Sequence, residues 1–145
     1  MPASLMIQQR PPQSSVVALL EAEGLPASDL TKSHLQHFFF AGNAGAPDAL
    51  VGLEIYGQDA LLRSLVVSTS ARTRGLGSAL VLHAEGYAAA HNVRALYLLT
   101  TTAESYFERR GSRRVERADA PPSIRSTREF AGLCPASSAF RTKRL

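Results

Sequence analysis

Leu65-Val66-Val67-Ser68-Thr69-Ser70-Ala71-Arg72-Thr73-Arg74-Gly75-Leu76-Gly77 is the stretch on which the reading of this chain turns. An apolar run ends in a hydroxyl-rich loop, and Arg-x-x-Gly-x-Gly then enters a helical pattern. Strand, loop and helix in that order form an anion cradle. The first amides of a helix have no acceptor inside the helix, and the aligned peptide dipoles add positive charge there. Glycine lets the backbone come close to a phosphate, and Arg72 and Arg74 add charge-assisted hydrogen bonds. Helix starts of this kind bind phosphate. Two other phosphate loops do not fit. No Gly-Lys pair is present for a Walker loop, and Leu80 stands where a dinucleotide fingerprint needs its third glycine.

Working outward, Gly75 to about His91 reads as a helix, with Leu76, Ala79, Leu80, His83, Ala84, Tyr87 and Ala88 on related faces. Upstream, Ala49–Tyr56 and Ala60–Val67 flank the short turn Gly57-Gln58-Asp59, which predicts an antiparallel hairpin. His37–Ala41 is a further strand, and Gly42–Asp48 a turn. Leu5–Arg10 reads as a first strand stopped by Pro11-Pro12. Gln13–Gly24 follows as a helix with Gly24 as its cap, and a short helix is expected over Asp29–Leu35. Downstream, Ala95–Thr100 suits a buried strand, and Thr102–Arg110 a short helix with a hydroxyl cap, closed by Gly111. Arg113–Val115 and Ala139–Leu145 are read as strands, and Pro121–Phe130 as a proline-initiated helix or turn ended by Cys134-Pro135. The order predicts one α+β domain over residues 1–145, with a mixed, mostly antiparallel sheet flanked by helices.

Composition bounds the possibilities. The chain has 145 residues, 45% hydrophobic and 19% charged, which is ordinary for a single folded domain. The formal charge is +4, and most basic residues lie between Arg72 and Arg144, so an anionic ligand should meet the second half. Cys134 is the one cysteine, which excludes an internal disulfide and fits a reducing, cytoplasmic setting. Met1-Pro2-Ala3-Ser4 lacks a charged region followed by an apolar one, so no secretory signal is expected. The apolar runs are too short to span a membrane, and no nucleic-acid motif is present.

With these residues in view, the chain resembles the GNAT family of N-acetyltransferases. Leu65–Gly77 is similar to the family's strand-loop-helix cofactor motif, and Ala103-Glu104-Ser105-Tyr106-Phe107-Glu108-Arg109-Arg110-Gly111 to its helix near the thioester. Leu61–Leu65, Tyr97–Thr102 and Pro122 through Glu129-Phe130 to Cys134-Pro135 further resemble small acetyltransferases associated with arsenic-resistance genes. The resemblance implies a splayed sheet and acetyl-coenzyme A as cofactor. Leu65, Val66 and Val67 would offer backbone groups to the pantetheine arm. Arg72, Thr73, Arg74, Gly75, Leu76, Gly77 and Ser78 would hold the pyrophosphate, with Phe107 and Arg110 also at the cofactor. The acetyl group would sit where this strand parts from the one ending at Thr100, a position that implies contact between Thr100 and the acceptor. An amide near Val66 would serve as oxyanion donor.

The chemistry needs a neutral amine, a donor for the oxyanion and a proton for the leaving thiolate. Relatives often carry a tyrosine at the place of Phe107. Here Tyr106 is one position earlier, and one residue turns a helical side chain by about 100°. Tyr106 is thus either the acid or a packed aromatic. Glu54 alternates with Leu53 and Ile55 on the strand, on the face with Tyr56. It is either the base or part of a polar face. Arg63, on the paired strand, either binds a substrate carboxylate or forms a salt bridge with Glu54. Arg125, within Ser123–Arg128, either binds an anionic acceptor or is solvated. His34, His37, His83 and His91 lack ligand spacing with Cys134, so no metal site is expected; His83 reads as a core or interface residue and Cys134 as a small buried hydrophobe.

The expected function is acetyl transfer to the primary amine of a small molecule. By the narrower resemblance, this is an amino acid with a second acidic, arsenic- or phosphorus-bearing group. A protein or peptide N-acetyltransferase and a coenzyme A-binding module without turnover stand as alternatives. A homodimer is compatible with the family.

Overall fold

In the computed structural model, residues 6–72 and 75–145 are described; Leu5 of the first expected strand and Thr73 and Arg74 of the cradle lie outside them. The strands are β1 (Ile7–Gln9), β2 (Phe38–Asn43), β3 (Ala46–Tyr56), β4 (Asp59–Val67), β5 (Ala95–Thr100), β6 (Arg113–Arg114) and β7 (Ala139–Arg144). The helices are α1 (Gln13–Ala22), α2 (Leu76–Ala90), α3 (Glu104–Arg109) and α4 (Pro122–Arg125). The strands form one sheet in the order β1-β2-β3-β4-β5-β7-β6. All neighbours are antiparallel except β4 and β5. This is the expected mixed α+β sheet.

The sheet is covered on both faces. Phe39, Val51, Leu53, Leu62 and Leu96 pack under α2 with its Leu76, Leu80, Val81, Ala84 and Ala88. On the other face, Phe38, Phe40, Leu50 and Val66 pack against Val16 and Leu20 of α1, and Leu61 and Phe140 against Ile124 of α4. Gly52 in β3 admits the Phe38 ring, for an added Cβ would lie 2.2 Å from it.

Two irregularities in the central strands shape the site. Leu50 pairs with Val66 but Gly52 with Arg63, so β4 carries one extra residue. Ser64, at φ 60, takes up that bulge. The bulge resets the alternation, so Arg63 and Val66 share a face. The parallel ladder of β4 with β5 runs only from Asp59/Ala95 to Leu62/Leu98. Beyond Leu62, β4 stays on β3 while β5 follows β7 to Thr100, and the two part.

Several boundaries differ from expectation. The turn expected over Gly42–Asp48 tightens to Ala44-Gly45, because Asn43 Oδ1 accepts the Gly45 N–H at 2.8 Å. The Asp29–Leu35 helix reduces to one tight turn at His34–His37, with the Asp29 carboxylate drawn inward to Arg63. The helix expected to Phe130 stops at Arg125. The Thr127 hydroxyl takes local backbone partners instead, donating to the Ile124 carbonyl and accepting from Phe130 N–H. A wide turn, Glu129–Leu133, follows. Among the described residues no side chain caps α3; Thr100 Oγ1 accepts the Ala103 N–H just ahead of it, at 3.0 Å. His83 is exposed, its ring edge on Phe39 at 4.7 Å, because Val81 takes the core position.

Candidate active site

The parting of β4 and β5 opens two connected cavities. The first, about 510 Å³, runs along Leu65, Val66 and Val67 to the start of α2 at Gly75, Leu76, Gly77 and Ser78. Gly75 precedes the helix in the left-handed region, at φ 74, which suits glycine. No side chain caps α2 among the described residues. An added Cβ on Gly77 would meet Val67 at only 3.5 Å, so its surroundings tolerate a side chain. Arg72 lines this cleft while bonding Glu23 at 2.5 Å and the Val67 carbonyl at 3.3 Å. Tyr106 lines it too, with its hydroxyl 3.1 Å from Ser78 Oγ. The Arg110 guanidinium lies 5.7 Å from the Tyr106 ring centre. Its buried Nε has no hydrogen-bond partner among the described residues.

The second cavity, a chamber of about 230 Å³, lies between Leu62–Leu65 and Leu98–Ala103 and is closed by Phe107, Glu129, Cys134 and Pro135. Leu25, Leu65, Thr102 and Ala103 line both cavities and form their junction. Thr100 is in the chamber wall, as expected.

Arg63 lies under this chamber in a buried ionic cluster. Its side chain is 0% exposed. Nη1 contacts Asp29 Oδ2 at 2.6 Å and Glu54 Oε2 at 2.8 Å. Nη2 contacts Asp29 Oδ1 at 2.9 Å and Glu129 Oε2 at 3.1 Å, and Nε donates to Ser64 Oγ at 3.0 Å. Of the five N–H donors of a guanidinium, four are hydrogen-bonded here, and Glu129 meets the group as an ion pair. Burial lowers the Arg63 pKa, but its hydrogen bonds to Asp29, the Glu129 charge and its hydrogen bond to Glu54 outweigh that and raise it. Asp29 responds in the opposite sense. Burial opposes its charge, yet the Arg63 hydrogen bonds hold it below the ordinary carboxylate range. Glu54 receives the Tyr56 hydroxyl on Oε1 at 2.5 Å, which confirms the shared face. Burial and that bond to Glu54 push the Tyr56 hydroxyl upward.

Glu129 differs from its two companions. Burial, aided by the charges of Asp29 and Glu54, pushes its pKa up to about 7 in spite of Arg63. The Cys134 thiol is close enough to favour the charged form of Glu129, and burial with the Glu129 charge pushes that thiol up to about 12. Cys134 is half-buried in the chamber wall, more polar in its contacts than a small hydrophobe.

Of the residues singled out from sequence, Leu65–Val67, Arg72, Gly75–Ser78 and Tyr106 meet at the cleft, and Thr100 and Phe107 at the chamber. Glu54 is held by Arg63 and Tyr56 beneath the chamber and does not line it. Arg125 stands apart, donating to the carbonyls of Ala118 and Ala120. Asp29 and Glu129 were missed because they reach the site from loops far from it in sequence. Asp29, His34 and Glu54 bring ligand atoms within 4.8 Å of one another, but the Arg63 cation already bridges the two carboxylates.

Comparison with known proteins decides the family. The model for the acetyltransferase (GNAT) family matches residues 8–111. The chain belongs to this family. No curated protein sequence matches it. Among solved structures it is similar to an N-acetylglutamate synthase from Neisseria gonorrhoeae complexed with coenzyme A and N-acetyl-glutamate. The TM-score is 0.82 at 21% identity, over 100% of this chain and 36% of that one. The chain thus spans about a third of that enzyme's length. It is also similar to Rv2747 from Mycobacterium tuberculosis in complex with coenzyme A, at TM-score 0.76 and 18% identity over 97% and 99% of the two chains. A third likeness is to the PaiA N-acetyltransferase from Thermoplasma acidophilum in complex with coenzyme A, at 0.67 and 14% over 99% and 100%. The GNAT sheet of these proteins is the sheet described above. Among the described residues no helix is long and apolar enough to cross a membrane.

Proposed function

We propose that this GNAT chain transfers an acetyl group from acetyl-coenzyme A to the primary amine of a small molecule. The observation that carries the reading is the pair of adjoining cavities, sharing Leu25, Leu65, Thr102 and Ala103 as lining, at the point where β4 and β5 separate. The residues of the first cavity fit the cofactor. The amides of Leu76, Gly77 and Ser78 begin a helix without a side-chain cap, the setting in which phosphate binds. Arg72 would exchange an exposed pair with Glu23, worth about 0–1 kcal/mol, for a phosphate. Arg110, with its unpartnered Nε, supplies further positive charge near Tyr106. The Leu65–Val67 edge that leaves β5 would pair with the pantetheine arm, and the amide near Val66 would receive the oxyanion. When bound, the cofactor supplies the activated acetyl thioester.

Tyr106 touches Ser78 in the first turn of α2, and Phe107 faces the chamber instead. This supports Tyr106 as a cofactor contact in preference to the leaving-group acid. The Arg63 and Tyr56 contacts likewise support Glu54 as a buried partner in preference to the base. A chamber of about 230 Å³ is smaller than common ligand pockets, roughly 300–1,000 Å³, which favours a small acceptor over a peptide. An acceptor with a second acidic group, arsenic- or phosphorus-bearing, is carried by the narrower sequence resemblance. It would compete for Arg63 with three carboxylates, and Arg125 does not face the chamber. A role in arsenic resistance, a cytoplasmic location and a homodimer belong to the same reading on resemblance and composition alone.

Thiol release from acetyl-coenzyme A, measured with a panel of small amines and amino acids, tests the reading. Release with at least one small amine is expected. Tight coenzyme A binding without release for any amine would replace the enzyme with a binding module.

A further inference from the structure

We propose that Glu129 is the group that removes the proton from the acceptor ammonium, a role that rests on the acetyltransferase reading above. Three observations carry it. Glu129 is the one carboxylate in the chamber wall among the described residues. Asp29 and Glu54 have both oxygens committed, to Arg63 alone or to Arg63 and Tyr56. Glu129 reaches Arg63 through one contact, at 3.1 Å the longest between that cation and a carboxylate. It is therefore the member of the cluster with capacity left for a proton, and the one placed where an amine can reach it.

The groups facing it set its strength. Arg63 comes from β4, Glu54 from β3, Asp29 from the loop after α1, and Cys134 from its own turn. Burial and the two carboxylates raise Glu129 from the ordinary 4.5 to about 7, while Arg63 and the Cys134 thiol keep it from rising further. A base performs best when its pKa lies near the working pH. Near neutrality Glu129 is divided between its two forms, able both to take a proton and to release it.

The step balances. The Glu129 carboxylate takes one proton from the ammonium, and the freed lone pair forms the C–N bond at the acetyl carbon as the C–S bond breaks. The second proton lost by the nitrogen goes to the departing sulfur, and Glu129 returns its own proton to water. Arg63 holds the carboxylate as its counter-ion and takes no part in the transfer.

The test is the pH profile of kcat/KM for the best acceptor amine, with coenzyme A affinity measured in parallel by calorimetry. The wild-type profile should rise through a midpoint near about 7, because the ionised form of Glu129 is the active one. Glu129→Gln should lower kcat on the order of 100-fold or more and remove that rise, while coenzyme A affinity holds. Cys134→Ala should move the midpoint upward, since the thiol favours the charged carboxylate. A Glu129→Gln enzyme that keeps its rate and its rise overturns the proposal and leaves the acetyltransferase reading intact. If Glu129→Gln does not fold, the Cys134→Ala midpoint decides: a shift supports the role and an unmoved midpoint overturns it. Wild-type protein that binds coenzyme A yet acetylates nothing overturns both.

Discussion

The cleft at the start of α2 is made of backbone, and the chamber beyond it is made of side chains. In the cleft, consecutive residues Gly75, Leu76, Gly77 and Ser78 present a bare helix start. At the chamber, Arg63 and Glu129 in its wall and Asp29 and Glu54 beneath it arrive from separate parts of the chain and meet on one guanidinium. On the proposed function, the first arrangement would recognise a charge that every cofactor molecule carries, so generic amides would suffice. The second would surround the proposed acceptor, and it depends on charges that only the finished fold brings together. Damage to the two should therefore look different, as lost stability in the chamber and lost affinity in the cleft.

The largest effect is expected at Arg63. Arg63→Ala leaves three buried carboxylates facing one another without their counter-ion. Removing one partner of a buried ion pair costs about 3–5 kcal/mol, and here the remaining charges also repel. The sign with pH follows from linkage. Without Arg63 the folded carboxylates bind protons more tightly than they do in the unfolded chain. The folded state is then favoured at acid pH and loses stability as pH rises. Chemical denaturation should show a large loss at pH 8 that shrinks towards pH 5. A variant of native stability whose only defect is a raised KM for the acceptor would return Arg63 to the role of substrate ligand.

This division also governs what could be read from the sequence. The strand and helix on either side of the proposed cradle were legible because local backbone geometry is encoded by Gly75, Gly77 and the apolar strand within a dozen positions. The hairpin of β3 and β4 was legible for the same reason. The β4 bulge at Ser64 was not, because serine gives no signal for a positive φ. Without that bulge Arg63 and Val66 would lie on opposite faces. Glu129 was hidden behind a run that reads as a proline-led helix. The Thr127 hydroxyl ends that helix and turns Glu129 inward. A carboxylate's partner can lie dozens of residues away, as Arg63 does from Asp29 (34 positions) and from Glu129 (66 positions), and no local pattern announces it.

An intermediate effect is expected at Gly77, confined to the cleft. The position has room for a Cβ, so Gly77→Asp should fold with its melting temperature little changed. An aspartate at a helix start is itself favourable for the helix. It places a negative charge where the cofactor phosphates would lie, so coenzyme A affinity should fall at least about tenfold, or about 1.4 kcal/mol, by calorimetry. Unchanged affinity would mean that the start of α2 is not the phosphate site, and the contrast between the two cavities would lose its basis.

The smallest effect is expected at Tyr106, which stands between the two regions and tests where the border runs. Its hydroxyl meets Ser78 Oγ at 3.1 Å, while Phe107, its neighbour, takes the place facing the chamber. Tyr106→Phe removes one hydrogen bond, worth about 0.5–1.5 kcal/mol, and leaves the ring in place beside Phe107 and Arg110. Coenzyme A affinity should weaken a few-fold at most and kcat should hold. A Phe variant with native cofactor affinity and a kcat lowered on the order of 100-fold would instead mark Tyr106 as the proton donor to the leaving thiolate. The helix start and the reacting centre would then share a residue, and the cleft would reach further into the chemistry than its backbone construction implies.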